Sequence, residues 1–576
     1  VSAEESSAVM ATSKNIRDFA REYRHAVIPN GHRRPSGGSQ FHLDNLAAFV
    51  STSPQIHDGL IVEKLVRVLA GITRQEVLLI RLLPSDAGEP AKDWSPLNSL
   101  PFDRFAFADQ LQRIDNGVQR LFVRVNGHSG ERKYLSALLG HCARFFGHVI
   151  VHASPSAGRG PVTECIRRSR HAYALVRQVE ESFANYRNYN SWLTKRGKAR
   201  RTYLKPILCL GDDELPRTQE DICQSLGTPA HHLLRDCPNE RHTARLHRGC
   251  AWPGGFCFDL RRLAREIGGC RIGIAFSSGG AKGFAHVGVI QALEENGLEV
   301  DMIAGCSMGA YIGALWAAGH DSRFIRDKAL ENQGRWGRWK LIDPVFPPRR
   351  GFIGGDKIRK LLVKSIGTAH FCDLLRPLRV VATNLTTLER TVFDSGEVAT
   401  AVHASSAIPG VCVPVGIDGE QYVDGGVIDP LPVDLLREEG IEKVIAVNTV
   451  PTPELMHQVR ERDLRLQARL RNRPWWHRIF NQQFNYFADG NILDIIQQCF
   501  TGAQIPNAEE ACRNADVVIR PINVYGSWHD FNRPRKYIAL GRRVTTELLP
   551  ELKALGKPLE NRHEYQTIDH PMATAA

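Results

Sequence analysis

The sequence predicts an α/β protein made of two successive units, each alternating short strands with helices. Three observations carry this. Short apolar runs bounded by turn residues recur along the chain, with helix-spaced segments between several of them. The alternation restarts near residue 271 with a second set of runs. The composition, 43% hydrophobic and 24% charged over 576 residues, is that of ordinary globular protein. It excludes disorder, collagen and coiled coil as descriptions of the whole chain. No stretch approaches about 18 uncharged apolar residues, so no membrane-spanning helix is expected. The opening VSAEESSAVMATSKNIRDFAREY has no basic stretch leading into an apolar one. No secretory signal is therefore expected, and a cytoplasmic, at most peripherally membrane-bound, location follows as the expectation.

Residues 1–55 are expected to form a polar, partly flexible segment, with GHRRPSGGSQ at 31–40 its most turn-rich part. Residues 56–255 are expected to form an α/β scaffold or regulatory domain. Within it IVEKLVRVLAGI (61–72) has helical spacing, and VLLIRLL (77–83), LFVRV (121–125), HVIVH (148–152), HAYALV (171–176) and PILCL (206–210) read as strands. It contains no GxxxxGK[ST], and so lacks the phosphate cradle of a nucleotide triphosphatase. Residues 256–454 hold the second series: RIGIAF (271–276), VDMIAG (300–305), LRVVATNL (378–385) and KVIAVNTV (443–450). DVVIRP (516–521) is a late strand in residues 501–555, which are expected to complete that unit, and 556–576 read as a flexible tail.

The formal charge of +12 favours an anionic partner. Thirteen cysteines are scattered with no CxxC pair, which fits unpaired thiols in a reduced compartment and marks no metal-ligand cluster. The segment 455–500 differs from its surroundings. Arginines 460, 462, 465, 469, 471, 473 and 478 interleave with Leu464, Leu466 and Leu470, and Trp475, Trp476, Phe480 and Phe484 follow. Such a basic, aromatic, amphipathic insertion suits an anionic bilayer surface, and equally a solvated helix anchored on the neighbouring domain. The shorter run TKRGKARR (194–201) reads as a solvated loop, and no nucleic-acid partner is expected.

Three motifs carry chemistry. Ser277-Ser278-Gly279-Gly280-Ala281-Lys282-Gly283 follows a strand and opens a helix, FAHVGVIQALEENG. Glycines there expose consecutive amides at a helix N-terminus, an arrangement that binds a phosphate or a transient oxyanion and that also serves as a plain tight turn. Gly305-Cys306-Ser307-Met308-Gly309 again lies between strand and helix. This is the G-x-S-x-G pattern, whose small residues permit a sharp turn that lifts the serine hydroxyl above the sheet. Asp424-Gly425-Gly426 ends an apolar run; alone it reads as a hairpin turn, in company as an acid brought close to another loop. A serine needs a base to become a nucleophile. The histidines after Ser307 (His403, His457, His477 and His529) sit in no turn motif that marks a base, and His286 reads as a packed helix residue.

The set SGGAKGFAHVGVIQAL, GCSMGAYIGALWAAG, ASSAIPGVCVPV and YVDGG resembles the patatin-like phospholipase family, most strongly over 271–450. The lead-in FDLRRLAREIGG (258–269) and the region before it resemble the longer lysophospholipases related to neuropathy target esterase. The resemblance implies a three-layer α/β/α catalytic domain preceded by a smaller α/β domain. It implies a Ser–Asp dyad, with Ser307 as nucleophile and Asp424 as proton acceptor. It implies an oxyanion hole from Gly279, Gly280 and Ala281, supported by Ser278, Lys282, Gly283, Gly305, Gly309, Gly425 and Gly426. It implies hydrolysis of phospholipid or lysophospholipid esters through an acyl-enzyme, with no cofactor and no metal. One departure stands out. The family's first loop glycine is Ser278 here, and a serine at a positive φ would cost roughly 1 kcal/mol or more. Acyl transfer on the same scaffold and a non-catalytic lipid-binding role remain alternatives. A dinucleotide fingerprint would need a glycine at 278 and leaves Ser307 and Asp424 without a role.

Overall fold

The computed structural model describes residues 43–53, 58–84, 95–96, 110–125, 131–154, 156–196, 204–211, 219–237, 254–331, 333, 343–347, 349–458, 461, 492–522 and 529–556. The chain divides into two units, residues 1–269 with 558–576, and residues 270–557. The basic aromatic stretch of the expected 455–500 insertion, most of the 194–201 run and the expected terminal tails lie outside the described residues.

The first unit is built on a nine-stranded sheet: β1 (Leu43–Ser51), β2 (Val77–Pro84), β3 (Ser95–Pro96), β4 (Gln112–Asp115), β5 (Val118–Val125), β6 (His148–Ala153), β7 (Ser169–Arg177), β8 (Lys205–Cys209) and β9 (His232–Leu234). Its order is β3-β5-β2-β6-β1-β7-β8-β9, parallel throughout apart from the β4–β5 pairing. Leu46, Ala48 and Val50 enter one apolar cluster, and Ala47 and Phe49 enter another. Burial on both faces is why such strands read as unbroken apolar runs.

Two expected boundaries move. Strand β1 lies inside the segment read as polar and flexible, and it is central, hydrogen-bonded to both β6 and β7. Its entry residues Leu43-Asp44-Asn45 disguise it, and the Asn45 amide donates to the carbonyls of Ala143 and Phe146. The helix Gly254–Ile267, expected to lead into the second unit, packs on the first. Its Phe256, Leu260, Leu263 and Ala264 share a cluster with Ile61, Leu65 and Leu69 of the helix Asp58–Thr73. The sheet of this first unit has one strand more than that of the second.

The second unit has the three layers that the family resemblance implies. Its strands are β10 (Ile272–Phe276), β11 (Met302–Cys306), β12 (Leu378–Asn384), β13 (Arg390–Phe393), β14 (Val415–Ile417), β15 (Glu420–Asp424), β16 (Lys443–Val447) and β17 (Val517–Ile519). They run in the order β14-β15-β12-β11-β10-β16-β17, with β13 hydrogen-bonded to β12. The strands from β12 to β17 in that order are parallel, whereas β13, β14 and β15 pair antiparallel at one side. On one face Ile272, Ile274 and Phe276 meet helices α1 (Ala285–Glu295) and α2 (Met308–Ala317). On the other, Ala275 meets Leu435, Leu436 and, from a long helix (Ile492–Arg513), Ala508 and Ala511.

Helix α1 is clamped by a late helix, Pro534–Glu547, through facing glycines. A Cβ on Gly288 would collide with the backbone of Ile538 and Arg542, and a Cβ on Gly541 with the backbone of Ala285. The glycine loop that precedes α1 is thus fixed by a helix contributed from far along the chain. Gly541→Ala is expected to destabilise the protein by about 1–3 kcal/mol, the usual cost of overpacking. Urea unfolding followed by tryptophan fluorescence checks this; an unchanged midpoint would refute the clamp.

Candidate active site

The G-x-S-x-G turn is sharp enough that only glycine fits around it. A Cβ on Gly309 would strike the carbonyls of Phe276 and Ser277, and one on Gly305 would press on the backbone of Ala310 at 2.7 Å. Ser307 itself takes φ 54° and ψ −120°, a conformation that costs a non-glycine residue of order 1–3 kcal/mol. It caps α2, so the positive end of the helix faces its hydroxyl. The strained backbone is held from both sides. The Ser307 amide donates to Ser405 Oγ at 2.8 Å, and the Ser405 hydroxyl donates to the Val381 carbonyl at 2.6 Å. The Tyr311 amide donates to the Ser307 carbonyl at 3.0 Å. Ser405 ends the helix Val398–Ser405; it lies within ASSAIPG, and sequence reasoning assigned it no role.

Register delivers the acid. Cys306 pairs with Val381 across β11 and β12, and the next residue of β12, Ala382, pairs with Asp424 at the end of β15. Asp424 therefore arrives one residue beyond Cys306, level with Ser307. Gly425 then passes so close to the Val381 carbonyl that a Cβ there would collide with it. The turn at this point, a hairpin when the motif is read alone, is a 3-10 turn, Gly425–Val427, capped by Asp424, whose Oδ1 accepts the Gly426 amide at 2.8 Å. The Ser307 side chain lies beside the Asp424 carboxyl and favours its charged form, and Cys306 Sγ donates a weak hydrogen bond to it at 3.7 Å. It is 1% exposed. Burial pushes its carboxyl up to about 6, against the opposing pull of those three neighbours. Burial also holds the Cys306 thiol neutral, well above its ordinary range.

The glycine loop forms the third side. Gly279 N-caps a 3-10 helix, Gly280–Phe284, so the amides of Gly279, Gly280 and Ala281 precede any possible intrahelical acceptor. None of them donates to another group among the described residues. Gly280 takes φ 54°, whereas Ser278 does not adopt a positive φ, so the serine in the family's glycine position carries no such strain. The loop is anchored below. The Ser278 amide donates to the Pro430 carbonyl, and its own carbonyl accepts from the hydroxyls of Ser277 and Thr449. A Cβ on Gly279 would collide with Thr449 Oγ1, and a Cβ on Gly283 with Met308. Thr449, from the end of the KVIAVNTV run, is a second residue that sequence reasoning left without a role.

These elements border a small, partly open cleft lined by Ser278, Gly279, Gly280, Lys282, Ser307 and Asp424, with Ile408, Val450, Pro451 and Phe500 as apolar wall. Gln497, Thr501 and Gln504 complete the lining. Ala281, Gly283, Gly305, Gly309, Gly425 and Gly426 lie beneath or beside it and shape the backbone. Burial pulls the Lys282 ammonium down to about 8, and it pairs with no carboxylate among the described residues. No histidine lines the cleft among the described residues. His286 is fully buried, with Nε2 on the Ser277 carbonyl at 3.0 Å, and His403 lies against the Gly354 carbonyl.

One group with metal-ligand geometry, unmarked in the sequence, lies in the first unit: His231, His232 and Glu266. Its cation position is already filled. Lys205 Nζ lies 2.8 Å from Glu266 Oε1, and Arg262 donates to His232 Nδ1 at 3.2 Å. That donor places the His232 proton on Nε2, aimed at Glu266 Oε2 2.6 Å away, where a metal would need a lone pair. The group is a buried charge network centred on Glu266, whose carboxyl is held well below its ordinary range by the two histidines.

Residues 274–437 match the model of the patatin-like phospholipase family. The chain is 28% identical over 305 residues to lysophospholipase NTE1 of Cryptococcus neoformans var. neoformans serotype D, covering 52% of this chain and 18% of that protein. It is 35% identical over 191 residues to lysophospholipase nte1 of Aspergillus fumigatus (33% and 12%). To lysophospholipase NTE1 of Saccharomyces cerevisiae it is 31% identical over 191 residues (33% and 11%). The aligned stretch thus spans less than a fifth of each of these relatives.

The raised pKa of Asp424 has a stability consequence. Its folded value of about 6 exceeds the unfolded value of about 3.9, so the folded protein binds this proton more tightly. The group's contribution falls as pH rises from about 4 to about 6 and is level above that. Asp424→Asn removes the charged form, and is expected to stabilise the protein by about 2–3 kcal/mol at pH 7.5 and by much less at pH 4.5. Denaturant midpoints at the two pH values decide it; equal effects at both would refute the dehydrated carboxylate.

Proposed function

The chain carries a patatin-like phospholipase domain over residues 274–437, and from that premise we propose that it is a serine esterase acting on acyl esters of phospholipids or lysophospholipids. The observation that carries this is the placing of the Ser307 side chain beside a buried Asp424, next to amides that have no other acceptor among the described residues. Asp424 accepts the proton as Ser307 Oγ attacks the acyl carbon. The carbonyl oxygen becomes an oxyanion facing the amides of Gly279, Gly280 and Ala281, donors worth about 3–4 kcal/mol each in such sites. Collapse breaks the ester bond, the departing alcohol takes the proton from Asp424, and the acyl group stays on Ser307. Water then attacks the acyl-enzyme and yields its proton to Asp424; Ser307 recovers a proton as the fatty acid leaves.

A free aspartate is too weak a base for this near neutrality, and dehydration brings Asp424 closer to a useful range. The Lys282 ammonium, lacking a carboxylate partner among the described residues, supports an anionic substrate headgroup and stabilises charge at the oxyanion. Ile408, Val450, Pro451 and Phe500 supply apolar wall for the acyl chain. Membrane access is proposed from sequence alone: the arginine- and tryptophan-rich stretch 459–478 engages anionic lipid.

Ser307→Ala and Asp424→Asn are each expected to lower lysophosphatidylcholine hydrolysis by at least about 10³-fold while remaining folded by circular dichroism. A fluorophosphonate probe should label wild type and not Ser307→Ala. Wild-type kcat/KM should rise through about pH 6 as Asp424 loses its proton and fall above about pH 8 as Lys282 loses its charge. Near-wild-type turnover by Asp424→Asn would reject the dyad.

Deleting 459–478 should weaken co-sedimentation with phosphatidylserine vesicles by about tenfold or more, since each basic residue near such a surface contributes about 1 kcal/mol at most. Equal binding by the two proteins would reject the membrane role of that stretch.

A further inference from the structure

The exposed apolar side chains of the second unit collect at one edge and have no part in the chemistry above. Among the described residues that unit exposes five large ones, Val345, Phe346, Leu385, Leu388 and Ile495. Phe346 is 95% exposed and Leu388 71%. Scattered exposed apolar residues are ordinary, whereas a gathering of them marks an interaction surface.

Register gives the place. β11 and β12 are parallel and Ser307 follows the end of β11, so the dyad lies at the carboxyl edge of the sheet. Leu385 follows the end of β12, and its amide donates to the Gln421 carbonyl at 2.8 Å. Gln421 precedes Asp424 by three residues along β15, so Leu385 stands about 10 Å outward of the acid. The turn beyond it raises Leu388. Asn384 Oδ1 accepts the amides of Thr386 and Thr387 at 2.7 and 3.2 Å, and the Asn384 carbonyl accepts the Leu388 amide at 3.0 Å. Leu388 takes φ 59° there, a left-handed conformation that side chains other than asparagine and aspartate avoid. An apolar residue that is both strained and exposed adds nothing to the fold.

The loop 344–353 makes a second projection. The Val345 amide donates to the Phe352 carbonyl at 3.0 Å, which closes the loop beneath Phe346. Phe352 and Ile353 pack, together with Ile408 of the cleft wall, on Ala407, Val411 and Cys412. Arg350 reaches Gln421 Oε1 at 2.9 Å, on the residue that also holds Leu385, so the two projections are neighbours. Ile495 lies on the helix that lines the cleft with Phe500, and the next residue, Ile496, faces Gly410.

Resting on the esterase reading above, we infer that these side chains form a rim that inserts into the surface of a zwitterionic phospholipid bilayer and seats the cleft mouth on it. Protruding tips on separate loops suit a fluid apolar layer that closes around each, whereas a protein partner would have to supply a pocket for every one. Charge on the rim has both signs. Arg349 and Arg350 are exposed, as are Glu389 and Asp418, and Glu420 is half-buried beside them. That balance complements a surface bearing phosphate and choline together. Through Ile408 and Ile496 the rim continues into the apolar wall of the cleft, so an acyl chain drawn from the layer meets apolar surface on its way to Ser307.

The test sediments the full chain with vesicles of dialkyl ether phosphatidylcholine, which present the interface but hold no ester to cleave. Phe346→Ser and Leu388→Asn should each lower the partition coefficient by about fivefold, and the pair by about twentyfold. The rim acts by apolar area, so these ratios should be the same at about 0.1 M and about 0.5 M salt. Asparagine accepts the left-handed conformation, so Leu388→Asn should unfold in urea at or above the wild-type midpoint, and its loss of binding is then not a loss of fold. Both variants should keep wild-type kcat/KM on soluble p-nitrophenyl butyrate. Equal vesicle binding by wild type and the double variant overturns the rim. So does a wild-type dimer, formed without lipid and dissolved by the substitutions, which would assign the tips to a second copy. Fluorophosphonate labelling separates the two readings. A labelled chain whose binding ignores both substitutions keeps the esterase and loses the rim; an unlabelled chain whose binding still falls with them keeps the rim and loses the esterase.

Discussion

The proposed chemistry depends on a carboxylate kept out of water beside a strained serine. Neither condition is favourable alone. Asp424 is ionised near neutrality only at the cost of burial, and Ser307 keeps a backbone conformation that most residues avoid. Both persist because the sheet leaves little choice. The pairing of β12 with β11 and β15 sets the level of the acid, and the contacts at Gly305, Gly309 and Gly425 remove any room for a wider turn. A one-residue slip of β15 would turn Asp424 to the opposite face of the sheet.

Local chemistry was readable in the sequence where it was written in local punctuation. The glycine loop, the G-x-S-x-G turn and Asp424-Gly425-Gly426 each declare a tight backbone within a few residues. The apolar runs of β2, β6, β7, β8, β10, β11, β12 and β16 were legible for the same reason, since burial on both faces leaves a continuous hydrophobic signal. What escaped depends on partners far along the chain. Ser405 holds an amide 98 residues away, and Thr449 holds a loop 171 residues away. Neither residue type announces such a bond. Strand β1 escaped because a polar entry hides it, and the helix Gly254–Ile267 because sequence proximity suggested the wrong neighbour. The two glutamines on the cleft wall sit in a segment whose helical spacing is interrupted by Pro506.

The first unit applies a related principle to a different end. Glu266 is completely buried as a side chain and is surrounded by Lys205, His231 and His232, with Arg262 fixing the tautomer of His232. Burying such a group gains little stability over an apolar core, because desolvation offsets much of the attraction. What it does supply is a requirement for one arrangement. The helix carrying Glu266 must sit where β8 and β9 bring their lysine and histidines, and sliding it would strand an anion in the interior.

The hydrogen bond between the Ser307 amide and Ser405 has a further implication. That amide is already engaged, so it is not free to neutralise negative charge on a reacting oxygen. In the proposed mechanism the attacking group rests on β11 and is secured through Ser405 and β12, whereas the amides facing the oxyanion follow β10 and are secured through Thr449 and Pro430. Attack and charge neutralisation are thus carried on separate supports that share a border but not a fastening, and natural variation can retune one without unseating the other.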